Sequence, residues 1–360
     1  MKRITFIILT LSFFISCKKE TAPTNNPPPT PAVYFPPVNN NTWETVSPAS
    51  LNWNEAEMNN LYAYLQQKNT KAFIILKNGK IVVEKYFDSF TADSNWYWAS
   101  AGKTMTAFLA GIAQQEGLLN INNKTSQYLG AGWTALPLAK ENLITVRHQL
   151  TMTTGLEDNV PDRDCTVPSC FTYKADAGTR WAYHNGPYTL LEKVLANATS
   201  TTYNNYFQQK VRSPIGMNGA WLQVGYNNVL YTTPRSMARF GLLLLNKGIW
   251  EGTPILKDST YFNSQVSSSQ NFNLSYGYLT WLNGKASHMR PTLENVFTGS
   301  LIPNAPADLY AALGKNDQKI YVVPSQKLVI IRMGESAGNV QLALSSFDNE
   351  LWEKLNLVIR

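Results

Sequence analysis

The chain has 360 residues, of which 44% are hydrophobic, 12% aromatic and 15% charged, so it can bury a substantial core and is not a disordered protein. Its formal charge of +7 is spread out, with no basic run longer than Lys18-Lys19, which argues against a nucleic-acid footprint. Three cysteines and three histidines, without a Cys-x-x-Cys pair or a His-Glu-x-x-His helix, argue against a metal centre.

Lys2 and Arg3 open the chain, an apolar stretch runs from Ile4 to Ile15, and small Ser16 precedes Cys17. That stretch is too short to span a bilayer comfortably, so residues 1–16 read as a signal peptide. A cut before Cys17 would match bacterial lipoprotein processing, in which the new amino-terminal cysteine takes the lipid. The expectation is an exported protein, lipid-anchored to the cell envelope through Cys17. Residues 17–40, with Pro27-Pro28-Pro29 and no apolar periodicity, read as an extended tether. One folded domain is expected over 41–360, as a monomer.

Within that domain, residues 54–69 look helical, and 71–87 hold two β-rich runs around Asn78-Gly79, the strongest short hairpin signal. From Ser100 a helix is predicted, because Met105, Phe108, Leu109, Ile112 and Ala113 recur at helical spacing as one apolar stripe. In an exported protein Cys165 and Cys170, in the short loop CTVPSC, are expected to form a disulfide. So small a loop constrains the unfolded chain by only roughly 2 kcal/mol, so its task would be to shape one loop. Segments 309–314, 318–324 and 326–334 read as three successive strands, and about 339–356 as a closing helix. The long middle, about 100–300, is dominated by helical and loop signals. A split antiparallel sheet with a helical insertion fits this order.

Ser100 and Lys103 stand three apart at the start of a helix, so their side chains can meet. A serine hydroxyl becomes a nucleophile when a neighbour takes its proton, and a lysine kept neutral by burial can do so. An N-cap serine beside a solvated lysine is the other reading of the same four residues. Ser-x-x-Lys also occurs at Ser16–Lys19, and Tyr-x-Asn occurs at Tyr183–Asn185 and three other places, so neither pattern decides alone. His148 reads as a packed or capping residue, whereas His184, between Tyr183 and Asn185, is a possible pocket residue. Trp96, Tyr97 and Trp98, ahead of Ser100, read equally as an apolar pocket wall, with Trp98 the candidate nearest Ser100, or as buried core. Gly-x-Ser-x-Gly is absent around Ser100, which disfavours a Ser-His-Asp hydrolase.

Six blocks in order carry a resemblance: YWASAGKTMTAFLAGIAQQEGLL, ITVRHQLTMTTGL, GTRWAYHNGPYTLL, PIGMNGAWL, TPRSMARFGLLLLNKG and ALGKNDQKIYVVPSQKLVIIRMG. Over roughly 60–335 the chain resembles the serine hydrolases of the β-lactamase and penicillin-binding-protein superfamily, especially the class C-like branch of esterases and 6-aminohexanoate-dimer hydrolases. The resemblance implies an α+β fold of the β-lactamase/transpeptidase type, an antiparallel sheet flanked by helices with a mainly helical inserted lobe. It implies cleavage of small ester or amide substrates through an acyl-enzyme on Ser100, with no cofactor. Lys103 would be the general base and Tyr183 the proton shuttle to the leaving group. Asn185 would hydrogen-bond Lys103 and the substrate. Gly314 would align with the glycine of the family's Lys-Thr-Gly strand, and the oxyanion hole would use the backbone N–H groups of Ser100 and Lys315.

At one place the sequence departs from that pattern. Ala312-Leu313 stands where β-lactamases and peptidoglycan DD-peptidases carry Lys-Thr, and neither side chain can hold a substrate carboxylate. An esterase or small-amide hydrolase is therefore expected ahead of a β-lactamase or D-alanyl-D-alanine carboxypeptidase. A catalytically idle binding or sensor lipoprotein is the alternative from another class.

Overall fold

The computed structural model describes residues 33–340 and 342–359; the expected signal peptide, Cys17 and most of the tether lie outside the described residues. Helix α1 (Met58–Gln67) turns Met58, Leu61 and Leu65 inward, at the spacing that puts them on one stripe. Strands β1 (Thr70–Lys77) and β2 (Lys80–Tyr86) follow, joined by Asn78 and Gly79 at φ of 50° and 82°. Two positive φ values make the tight turn whose twist matches its strands.

Next come β3 (Trp96–Tyr97) and α2 (Gly102–Gln115). The middle of the chain supplies α3 (Asn185–Thr199), the hairpin of β4 (Ala220–Val224) and β5 (Asn227–Thr232), α4 (Pro234–Leu245) and β6 (Trp281–Leu282). Strands β7 (Tyr310–Gly314), β8 (Gln318–Val323), β9 (Leu328–Gly334) and helix α5 (Ser346–Val358) complete it.

The main sheet runs β2-β1-β9-β8-β7-β6, with every neighbouring pair antiparallel. Pairing of β1 with β9 brings the two ends of the domain together, and the segment between them forms the helical lobe, as expected. A second sheet, β3-β5-β4, stands beside it. Helices cover both faces of the main sheet. Gly241 of α4 lies so close to Val329 and Ile320 that an added β-carbon would meet Val329 at 2.5 Å. On α5, Trp352 meets Tyr321 and Phe347 meets Arg332. Because neighbouring residues of a strand point to opposite faces, α4 and α5 lie on opposite sides. Every residue of β8 and β9 is accordingly buried.

Three expectations are corrected. The closing helix begins at Ser346 rather than near 339, because Ser345 caps it: its Oγ accepts the Phe347 N–H, and the Asp348 carboxylate accepts the Ser345 N–H. Helix α2 carries more than one apolar stripe, since all residues from Gly102 to Ala113 are buried. Its polar members find partners, Thr104 on the Leu279 carbonyl and Thr106 on the Tyr203 hydroxyl. Packing extends to Val33, the first described residue and eight residues ahead of the expected boundary. Tyr34 N–H donates to the Asn78 carbonyl, Phe35 packs edge-on against Trp250, and buried Arg239 donates to the carbonyls of Pro36 and Pro37. Those prolines lack an N–H but keep a carbonyl, which is what the guanidinium uses.

Candidate active site

Ser100 sits in a single 3₁₀ turn, Ala99–Ala101, just ahead of α2. Ala99 has a φ of 45°, a left-handed conformation that costs an alanine roughly 1–2 kcal/mol. Such strain persists where the surroundings fix it. Trp98 does so here: its N–H donates to the Leu230 carbonyl at 2.8 Å and its indole Nε1 to Thr232 Oγ1 at 2.8 Å. Trp98 is fully buried against Phe240, so it clamps the turn to β5 as core and does not wall the pocket, the second of the two readings. Tyr97, one residue earlier, lines the cleft.

Lys103 lies one helical turn beyond Ser100 and donates from Nζ to Ser100 Oγ at 3.1 Å. It is 3% exposed, with Nζ 3.9 Å from the centre of the Tyr188 ring and 5.2 Å from that of Tyr183. Among the described residues no carboxylate pairs with it within 4 Å. Burial therefore disfavours the ammonium and pulls its pKa down to about 7, with the Asp164 charge opposing. A substantial neutral fraction at neutral pH is the condition for a base. The solvated-lysine reading fails.

Tyr183 is wedged by aromatic neighbours, stacked on Trp281 at 5.7 Å and edge-on to Tyr276 at 6.2 Å. Its hydroxyl is buried without a partner that meets hydrogen-bond geometry. Burial raises its pKa well above the usual phenol value, and Ser100 nearby opposes this only in part. The group is a neutral phenol, suited to giving a proton rather than taking one.

Asn185 begins α3 beside these residues, but its partner differs from the one expected. Its Nδ2 donates to Asp164 Oδ1 at 2.7 Å, and no hydrogen bond links it to Lys103. A carboxylate accepts only, so the pairing fixes the amide with Oδ1 free, and that atom is buried without a partner. His184 is also corrected. It is buried, edge-on to Phe171, with its pKa lowered to about 4 by burial, and it does not line the cleft. Alternation explains this, since extended backbone at His184 sends its side chain away from those of its neighbours. His148 behaves as read: with Thr145 it forms a capping box.

Gly314 ends β7 against the turn that carries Ser100. Lys315 follows it, exposed on the rim of the cleft. The turn after β7 is rigidly held. Asn316 and Asp317 both have φ of 58°, and buried Arg332 donates to both their carbonyls. Asp317 accepts from Ser345, from the Ala337 N–H and from buried Lys319. Lys319 also pairs with Asp348 at 2.8 Å.

The cleft holds about 480 Å³. Ser100, Lys103, Tyr183, Asn185 and Lys315 all face it, with Tyr188, Arg163, Asp164 and Asn316. Sequence reading missed these last four. Asp164 and Arg163 adjoin the Cys165–Cys170 disulfide, which is formed. Tyr188 is five residues past Tyr183 on the opening of a helix, where nothing separates it from a core tyrosine.

The Beta-lactamase family model matches residues 63–345. An uncharacterized protein of Alkalihalophilus pseudofirmus is 21% identical over 302 residues, spanning 74% of this chain and 83% of its own. Among solved structures, a protein provisionally named 6-aminohexanoate-dimer hydrolase, from Bacillus anthracis, superposes with a TM-score of 0.67 at 19% identity over 90% of this chain and 88% of its own. A provisionally named beta-lactamase from Bacteroides dorei gives 0.65 at 18% identity, covering 85% and 99%. At these identities the structural likeness establishes the fold.

Proposed function

The chain belongs to the Beta-lactamase family of hydrolases, and from that premise we propose that it is a serine hydrolase that cleaves small esters or amides through an acyl-enzyme on Ser100. The observation that carries this is the Lys103 Nζ to Ser100 Oγ hydrogen bond at 3.1 Å, made by a lysine whose pKa burial has brought near 7. Neutral Lys103 takes the hydroxyl proton as Ser100 Oγ bonds to the substrate carbonyl carbon. The oxyanion is met by the backbone N–H groups of Ser100 and Lys315. Collapse breaks the bond to the leaving group, which leaves with a proton from Tyr183, and Lys103 restores that proton to the phenol. Water then attacks the acyl carbon and gives its proton to Lys103, and Lys103 returns that proton to Ser100 Oγ as the bond to the acyl group breaks and the acid is freed. Burial favours the resting forms, neutral Lys103 and neutral Tyr183, and makes the ammonium and the phenolate short-lived carriers of the proton.

Ala312 and Leu313 are buried and apolar, which supports an ester or amide hydrolase over a β-lactamase or carboxypeptidase. The apolar stretch before Cys17, followed by the proline-rich segment, supports export with a lipid tether. The folded domain would occupy the chain from about residue 33, with a shorter tether ahead of it.

Turnover of p-nitrophenyl esters and anilides tests the reading. Ser100→Ala is expected to lower kcat/KM at least about 10³-fold, with no stable penicillin adduct on the parent protein. Full turnover in Ser100→Ala would overturn it, and a lasting penicillin adduct on Ser100 would move the protein to the cell-wall branch.

A further inference from the structure

The cleft contains a guanidinium that makes no ion pair among the described residues, although Asp164 lines the same cleft. Arg163 lines it, and its Nη1 is buried without a hydrogen-bond partner. The nearest carboxylates in sequence are committed elsewhere. Asp162 accepts the Asp164 N–H at 2.9 Å, and Asp164 accepts from Asn185 at 2.7 Å. Among the described residues no ion pair includes Arg163. A buried donor left open costs free energy, more so when charged, so the position calls for an acceptor from outside the chain.

What that acceptor is follows from the shape of the group. Guanidinium presents parallel N–H donors that match a carboxylate two to two. The strand cannot do this work, because Ala312 and Leu313 are buried and apolar. Lys315, the other cation on the rim, is exposed and solvated, so an anion gains less there. Arg163 is also held in place. Its carbonyl accepts the Gly186 N–H at 2.9 Å. Two residues on, Cys165 is tied to Cys170, and its carbonyl packs on Gly186 so tightly that an added β-carbon would meet it at 2.4 Å. The loop is thereby fixed to the start of α3, which carries Asn185.

Resting on the acyl-transfer reading of Ser100, we propose that Arg163 is the substrate-recognition residue of this cleft and binds a carboxylate carried by the substrate, so that the preferred substrates are anionic esters or amides. The strand offers no such charge; Arg163 offers it from a loop beside the disulfide.

The test compares p-nitrophenyl hydrogen glutarate with its methyl ester, two substrates of the same glutaryl chain, one ending in a carboxylate and the other in a neutral ester. The wild-type protein is expected to favour the anionic substrate at least about tenfold in kcat/KM, and glutarate is expected to inhibit competitively. In Arg163→Met the preference falls at least about tenfold, chiefly through KM, and Arg163→Lys keeps part of it. A wild-type ratio within twofold of unity, or a ratio unchanged in Arg163→Met, overturns the assignment. Were Arg163→Met not to fold, the wild-type ratio and glutarate inhibition decide alone. Fluorophosphonate labelling of Ser100 separates the two levels: labelling without charge preference sinks only the role of Arg163, whereas no labelling and no turnover of either ester sinks the hydrolase.

Discussion

Gly314 runs so close to Trp98 that a β-carbon on it would lie 2.3 Å from the Trp98 carbonyl oxygen and 2.9 Å from the Ala101 nitrogen. Its φ of −129° is ordinary, so the need for glycine is one of contact and not of backbone freedom. Neither neighbour is a flexible side chain, so one backbone must move. Gly314→Ala is expected to separate the strand end from Ser100, lowering kcat/KM at least about 100-fold while costing about 1–3 kcal/mol of stability. Thermal melting together with ester kinetics checks this. A fully active variant would show that the two backbones are not coupled.

Lys103 sets the pH profile. Its pKa is lowered to about 7, so the neutral base grows as pH rises through 7, and kcat/KM should climb with a limb near that value. Lys103→Ala should abolish the limb and cost about 10²–10⁴-fold. A flat wild-type profile from pH 5.5 to 8.5 would count against the lysine as base.

The same shift predicts a stability signature of opposite use. The unfolded chain holds the Lys103 proton up to its ordinary value of 10.5, while the folded protein releases it near 7. The unfolded state therefore binds more protons between those values, and stability gained from this group rises with pH there by up to about 1.4 kcal/mol per unit. Below pH 7 the burden is full and constant. Lys103→Met should thus be more stable than the parent at pH 6 by denaturant unfolding, with the difference shrinking towards pH 10. A variant less stable at pH 6 would contradict this.

Under the turn that carries Lys315, Lys319 is buried between Asp317 and Asp348. Removing one partner strands part of that charge. Asp317→Ala should lower stability by about 3 kcal/mol and lower turnover, because the turn loses its contacts to Ser345 and Ala337 as well. Asp317→Asn, which keeps one acceptor oxygen for the Ala337 N–H, should lose less. Calorimetry of the two variants checks the order.

Much of the fold was legible because its elements advertise themselves locally. Asn78-Gly79 and the continuous apolar runs of β8 and β9 carry their periods in the sequence, and Ser100–Lys103 follows from helix geometry alone. What was not legible depended on tertiary burial. Trp98 and His184 stand beside active residues in sequence yet point into core, since side-chain direction alternates with backbone that only the fold determines. Asn185 was assigned to Lys103 because its competitor, Asp164, is 21 residues away and reaches it through a disulfide loop of unreadable path. Ser345 starts the last helix later than expected because capping chemistry outranks the helical pattern upstream of it.

The central claim is that Ser100 is an activated nucleophile. Intact-mass measurement of the purified protein after exposure to a fluorophosphonate, beside Ser100→Ala, tests it most directly. The account predicts one adduct on the parent, mapped to the peptide holding Ser100, formed faster at pH 8 than at pH 6, and none on the variant. An adduct on folded Ser100→Ala at the parental rate, or none on the folded parent at any pH, would contradict it.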